Sequence, residues 1–229
     1  MAKALARAVD LIDSSASFTA SDVAALNERF TGVDTQTMLA TILAEGLIGR
    51  AAIVSSFGAE SSVLLHLVAS IDHAVPVLFL ETGKHFPETL AYRDLLAQRL
   101  GLTDLRNLTP DAADITTRDA SGLRWSFDPD GCCAIRKVKP LAAALAGFDA
   151  TITGRKGFQS STRTNLQRFE LDSSDAAGRM KINPLADWSK GDIDAYIAAH
   201  ELPRHRLVEA GYPSIGCAPC TSKVLPGED

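Results

Sequence analysis

The stretch Ala51-Ala52-Ile53-Val54-Ser55-Ser56-Phe57-Gly58-Ala59-Glu60-Ser61-Ser62-Val63-Leu64-Leu65 decides the fold. Its opening is a short apolar run, read as a buried strand. The run breaks at a Ser/Gly-rich turn, and residues 61–70 follow with Val63, Leu64, Leu67 and Val68 on one helical face. A strand, a glycine-bearing turn and a helix in succession present backbone N–H groups and the positive helix end where an anion can sit. Ser55, Ser56 and Ser61 add hydroxyl donors. One glycine alone also fits an ordinary strand–helix connection. With no Lys after Gly58, the stretch is not the GxxxxGK[ST] phosphate loop.

The same alternation recurs on the C-terminal side. Residues 75–80 read as a strand, 87–100 as a helix, 105–108 as a strand and 138–145 as a helix. Residues 151–153 form a strand stopped by Gly154, 180–182 a short extended piece, and 189–200 a helix capped by Ser189. Before Ala51 the chain is Ala/Leu-rich and helical. Ser21-Asp22 opens one helix ending at Phe30, and Thr35 opens another ending at Leu43, with Gly46 and Gly49 closing it. This order predicts an α/β protein, a Rossmann-like three-layer sandwich on a mostly parallel sheet. Residues 1–50 make a helical N-terminal segment and 51–229 the main domain.

The chain has 229 residues, 46% hydrophobic and 22% charged, which suits one generous soluble domain. A net charge of -5 argues against non-specific nucleic-acid binding. Residues 1–13 mix Lys3, Arg7, Asp10 and Asp13 into the apolar positions, unlike a signal peptide, and no run approaches membrane-spanning length. A cytoplasmic location is expected, where paired cysteines bind metal or do redox work more often than they form disulfides. Between Arg118 and Arg168 nine Lys/Arg face four Asp. That excess fits an anionic small-molecule ligand.

All four cysteines fall into two pairs, Cys132-Cys133 and Cys217-Ala218-Pro219-Cys220. Four thiolates suit an iron–sulfur cluster or structural zinc, although an adjacent Cys-Cys pair is awkward for a zinc knuckle. Inert buried thiols are the bland reading. Arg136 and Lys137 follow the first pair and would answer the charge of an anionic cluster. Arg155 and Arg163 carry the guanidinium forks that match oxyanions. Lys156 and Arg168 read as surface charges, and Gln159 and Ser160 as nucleotide-positioning or plain turn residues. His66, His73, His85, His200 and His205 receive no catalytic role, and Trp125 and Trp188 are read as packing residues.

Ser56-Phe57-Gly58-Ala59-Glu60-Ser61 resembles the pyrophosphate loop of the adenine-nucleotide α-hydrolase superfamily, in the form used by sulfonucleotide reductases. Leu80-Glu81-Thr82-Gly83 resembles that family's LDTG segment, with Glu81 in place of Asp. Ile152-Thr153-Gly154-Arg155, with Gln159, Ser160 and Arg163, resembles its arginine loop, and Ile182-Asn183-Pro184-Leu185 with Trp188 a further block. Cys132-Cys133-Ala134-Ile135-Arg136-Lys137 and Gly216-Cys217-Ala218-Pro219-Cys220 are similar to the paired motifs of adenylylsulfate reductases.

The resemblance implies a [4Fe–4S] cluster on Cys132, Cys133, Cys217 and Cys220, with Lys137 between cluster and substrate. It implies substrate contacts from Ser55, Ser56, Phe57, Gly58, Ala59, Glu60, Glu81, Thr82, Gly83, Arg155, Gln159, Ser160 and Arg163. The implied reaction cleaves adenylylsulfate to sulfite and AMP. A cysteine in a C-terminal Glu-Cys-Gly-(Ile/Leu)-His segment attacks sulfur, and thioredoxin or glutaredoxin releases sulfite. The sequence closes at Leu225-Pro226-Gly227-Glu228-Asp229 without that segment. The expectation is therefore binding of adenylylsulfate and AMP without turnover, either because the tail is missing or because the molecule is a crippled variant. Rival readings are a 3'-phosphoadenylylsulfate reductase, an ATP-using sulfurtransferase or adenylyltransferase, and a non-catalytic zinc-stapled nucleotide module. Neither nucleic acid nor membrane is expected as a partner, and homo-oligomerisation is left open.

Overall fold

The computed structural model describes residues 17–159, 165–173, 175 and 178–224. Two helices come first, α1 (Ala20–Arg29) and α2 (Thr35–Ala44). The cap of α1 is Thr19, which with Asp22 forms a reciprocal capping box two residues ahead of the Ser21 expected to open the helix. Asp34 caps α2 by accepting the Thr37 N–H.

β1 (Ala51–Ser55) leads into α3 (Ser61–Ala69), then β2 (Val77–Leu80), α4 (Pro87–Arg99) and β3 (Leu105–Leu108). α5 (Ala112–Arg118), α6 (Pro129–Cys133) and α7 (Lys139–Leu145) precede β4 (Ala150–Thr153). β5 (Phe169–Leu171), β6 (Met180–Ile182), α8 (Lys190–Ala199) and α9 (Arg206–Glu209) complete the order. The strands form one sheet in the order β3-β2-β1-β4-β6-β5. All pairings are parallel except β5 with β6. β1 lies between β2 and β4, with Ile53 opposite both Val77 and Ile152. The chain therefore winds outward through β2 and β3, then returns to the other side of β1. That reversal opens a crevice at the carboxyl ends of β1 and β4.

Alternate residues of the strands face opposite layers. Ile53, Val77 and Phe79 join the larger core, with Met38, Leu39 and Ile42 of α2, Leu67 of α3 and Leu96 of α4. Ala52 and Leu78 face the other way, onto Leu141, Ala144 and Leu145 of α7. Both faces of the sheet are covered, so the expected three layers are present, and α2 shares the large core with the sheet. Burial of each such aliphatic or aromatic side chain is worth about 1.5–3 kcal/mol.

β5 was not legible as a strand. Its three residues carry too little pattern, and it exists because Phe169 packs on Phe30, just past the end of α1, at 5.7 Å. The Asn27 amide accepts from the Phe169 N–H at 3.2 Å and donates to the Phe169 carbonyl at 2.9 Å. One side chain thus closes the sheet edge as a further strand would.

The helix expected at 138–145 is longer than its apolar pattern. α6, a π-helical segment Ala134–Val138, and α7 run on without a break. In the widened turn the Lys139 N–H bonds to the carbonyl of Ala134, five residues back. Pro140 follows inside the helix, where its ring would crowd a regular α turn and its missing N–H would break the ladder. The wide turn accommodates it.

Candidate functional site

β1 ends at Ser55, and the backbone turns sharply at Phe57, which holds the left-handed φ of 49° unusual for a bulky residue. Two contacts hold it there. The Phe57 N–H donates to Ser55 Oγ at 3.2 Å, and its fully buried ring meets Phe79 edge-on at 5.4 Å. The turn delivers α3, whose N-cap residue Glu60 makes no capping bond. Its carboxylate instead pairs with Lys156 at 2.9 Å and Lys190 at 3.7 Å. The first turn of α3 thus borders a cleft of about 800 Å³ without a side chain across its end.

Ser55, Ser56, Gly58, Ala59 and Glu60 line this cleft, with Leu80 and Thr82 at the end of β2 and Thr153 to Lys156 at the end of β4. Residues 213–217 form its far wall. The volume suits a nucleotide-sized ligand. Gly58 sits close under that wall, since a Cβ there would stand 3.2 Å from the Ile215 carbonyl.

Several expectations change here. Lys156 is no surface charge: it is 3% exposed, lines the cleft, pairs with Glu60 and donates to the Gly154 carbonyl at 3.1 Å. Arg168 is no surface charge either. It bonds Asp187 at 2.8 Å and the Val33 carbonyl, joining the 168 segment to the end of α1. Arg155 lines the cleft, with one guanidinium nitrogen 2.9 Å from Glu170. Phe57 lies under the cleft. Glu81 and Gly83 do not line it: the Glu81 carboxylate accepts the Gly83 N–H at 2.9 Å and stands 3.7 Å from Arg93. Gln159 ends a short 3-10 turn, Gly157–Gln159. Ser160 and Arg163 lie outside the described residues.

The cysteines meet beside this cleft. Cys132, Cys133, Cys217 and Cys220 line one narrow cavity, together with Lys84, Trp125, Arg136 and Lys137. Cys132 and Cys217 are buried and Cys220 is exposed. Burial pushes the Cys132 thiol up; Arg136 opposes this, and Asp119 and the neighbouring thiols add to it. Among the described residues no three His, Cys, Asp or Glu side chains close on a single ion. A multi-iron core spreads its ligands wider than one ion does, and the donor set of four soft thiols in a cation-lined cavity fits such a core.

Arg136 is buried and pairs with Asp119 at 2.7 Å, while its other nitrogen donates to the Thr82 carbonyl at 2.6 Å. Burial works to raise the Asp119 pKa. The Arg124 N–H and the Arg136 guanidinium outweigh it and hold the carboxyl below its usual 3.8. Thr82 also sets its hydroxyl 3.3 Å from Cys217 Sγ. Cys217 pairs with His85 in an isolated antiparallel bridge, and the Ala218 N–H donates to the Lys84 carbonyl at 2.7 Å. The turn after β2 is therefore sewn to the second cysteine pair.

Lys137 and Cys217 line both the cleft and the cysteine cavity. Lys137 is half-buried and has no carboxylate partner among the described residues. Sequence reasoning missed Lys190, Asp119 and the wall residues Lys84 and Trp125. Lys84 directly follows the Leu80–Gly83 segment, and Trp125 reads from sequence as a packing residue; only their approach to the cysteines distinguishes them.

Residues 50–223 match the family described as phosphoadenosine phosphosulfate reductase domain. A protein of Mesorhizobium japonicum named adenosine 5'-phosphosulfate reductase is 51% identical over 178 residues, covering 78% of this chain and 68% of that one. A Gloeobacter violaceus protein named phosphoadenosine 5'-phosphosulfate reductase is 41% identical over 180 residues, covering 77% and 74%. In three dimensions the chain resembles phosphoadenylyl-sulfate reductase of Candida auris, with a TM-score of 0.76 over 91% of this chain and 100% of that one. At 24% identity that likeness speaks for the fold.

Proposed function

The chain belongs to the phosphoadenosine phosphosulfate reductase domain family, and from that premise we propose that it reduces adenosine 5'-phosphosulfate to sulfite and AMP in sulfate assimilation. The observation that carries the reading is the shared wall. Lys137 and Cys217 border both the nucleotide-sized cleft and the four-thiol cavity, so a sulfonucleotide in the first lies beside the second.

In this reading Ser55, Ser56, Thr82 and the open end of α3 hold the nucleotide phosphate, with Gly58 and Ala59 allowing the backbone to approach. Arg155, Lys156 and Lys137 stabilise charge on the oxyanions, with Arg163 as a further clamp. We assign Cys132, Cys133, Cys217 and Cys220 as holders of a [4Fe–4S] cluster. When bound, the cluster contributes an anionic charge that the neighbouring cations answer.

A thiolate attacks the sulfur of the sulfate group. The bond from sulfur to the phosphate oxygen breaks, and its electron pair leaves with AMP. A dithiol reductant of the thioredoxin or glutaredoxin type then displaces sulfite and closes to a disulfide, supplying two electrons. With all four cysteines committed as ligands, the attacking thiolate comes from outside these 229 residues. We place the activity in the cytoplasm; among the described residues no helix is long and apolar enough to cross a membrane. A second reading, reduction of the 3'-phosphorylated substrate, is favoured by the name of the Gloeobacter relative.

The test is iron and acid-labile sulfide content of anaerobically purified protein, with calorimetric binding of AMP, adenylylsulfate and its 3'-phosphorylated form. About four iron per chain and preference for adenylylsulfate are expected. Zinc in place of iron overturns the cluster, and absent AMP binding overturns the cleft assignment. Tighter binding of the 3'-phosphorylated form decides for the second reading. Sulfite release with thioredoxin from these residues alone overturns the assignment of all four thiols as ligands.

A further inference from the structure

The cysteine cavity has a third wall besides the 129–145 helix and the 217–220 turn, namely the turn after β2, and it presents Lys84. Three polar groups of this residue tie three segments together. Its N–H donates to Thr82 Oγ1 at 3.2 Å, its carbonyl accepts the Ala218 N–H at 2.7 Å, and its ammonium donates to the Gly122 carbonyl at 2.5 Å. Gly122 permits that approach. Its φ is +69°, and a Cβ there would stand 3.1 Å from the Lys84 ammonium.

The two other cations of the cavity are placed differently. Arg136 is ion-paired with Asp119. Lys137 also borders the nucleotide cleft. Among the described residues no carboxylate lies within ion-pair distance of Lys84, and one carbonyl takes only one of its three donors. Its charge reaches the group around it, since it helps to hold the Asp119 carboxyl down. Lys84 therefore brings a positive charge that is in no ion pair among the described residues to a half-buried place on the wall of the four-thiol cavity.

We propose that Lys84 is the charge-balancing residue of the cysteine site, whose ammonium offsets the negative charge of four thiolates and their iron–sulfide core and so governs how tightly the core is kept and how easily it is reduced. The proposal rests on the cluster assignment above. A cation near a net anionic redox centre stabilises its more negative, reduced form, so removing it lowers the reduction potential. Lys84 touches no part of the nucleotide cleft, which separates its role from that of Lys137.

The experiment compares anaerobically purified holoprotein with Lys84→Met and Lys84→Arg. The readouts are the midpoint potential of the visible chromophore, the rate of iron loss to a chelator, the thermal unfolding midpoint and AMP binding. Lys84→Met is expected to shift the potential to more negative values and to lose iron about tenfold faster. Its AMP binding stays unchanged, and Lys84→Arg restores potential and retention. Wild-type potential and iron retention in Lys84→Met overturn the proposal. So does equal loss in both variants with a lowered thermal midpoint, which marks a structural staple only. Iron-free wild-type protein instead sinks the cluster assignment itself, a failure visible before any variant is made.

Discussion

The cleft takes its walls from places where regular elements stop: β1 hands over to α3, β2 to a turn, and β4 to the Gly154–Lys156 segment. The cysteine cavity next to it is made of irregular pieces, a π turn, a 3-10 turn at Ala218–Cys220 and the turn after β2. Charge is handled differently as well. In the cleft Lys156 and Arg155 each meet a carboxylate, Glu60 and Glu170, both partly open to solvent. At the cysteines Arg136 and Asp119 form a pair with side-chain exposures of only 8% and 0%. The sheet supports the cleft by repetition of one pattern, whereas the cavity depends on individual polar ties.

The sharpest break between the two regions is Cys220→Ser. It is expected to abolish the chromophore and bound iron while AMP binding survives, measured by absorbance and calorimetry on the same preparation. Loss of both together would mean that the regions are one unit. Arg136→Met comes next. It strands a buried carboxylate and is expected to cost about 3–5 kcal/mol in chemical denaturation. A cost under about 1 kcal/mol, the scale of an exposed pair, would erase the contrast with the cleft.

The smallest effect sharpens the comparison at the strip both regions share. His205, fully buried just before residues 213–220, accepts the Leu207 N–H on Nδ1 and so offers its Nε2 proton to Thr89 Oγ1 at 3.1 Å. Burial pushes its pKa below the usual 6.5, and nearby Glu88 only partly opposes this. The unfolded chain therefore takes up the proton first. The stabilisation is complete above about 6.5 and is lost as pH falls through that value toward the folded pKa. Denaturation midpoints that fall between pH 7 and 5, and fall less in His205→Gln, are expected; a flat profile in both would remove His205 from the account.

The strand–turn–helix was legible because burial of β1 on both faces demands an unbroken apolar run, and the Ser/Gly turn separates it from α3, which is apolar and buried over most of its length. The two cysteine pairs were legible as residue types. Their wall was not. Asp119 looks like any carboxylate after a short helix, and its pairing with Arg136 depends on how the 119–124 loop folds back. Lys156 and Arg168 were misread for a related reason. Their partners Glu60 and Asp187 come from elsewhere in the chain, and a local count of charges contains no information about them. β5 needed Asn27 and Phe30, more than a hundred residues earlier, to be a strand at all.

The widened turn between α6 and α7 acts as an insertion within an otherwise ordinary helix. An α-helix rotates about 100° per residue, so deleting one position between Cys133 and Pro140 would turn every later side chain by about that angle relative to the cysteines. Losing a residue ahead of Lys137 would turn that lysine away from the cleft and leave Pro140 against a regular α turn. Length in this short interval should therefore drift far less than its amino-acid identities.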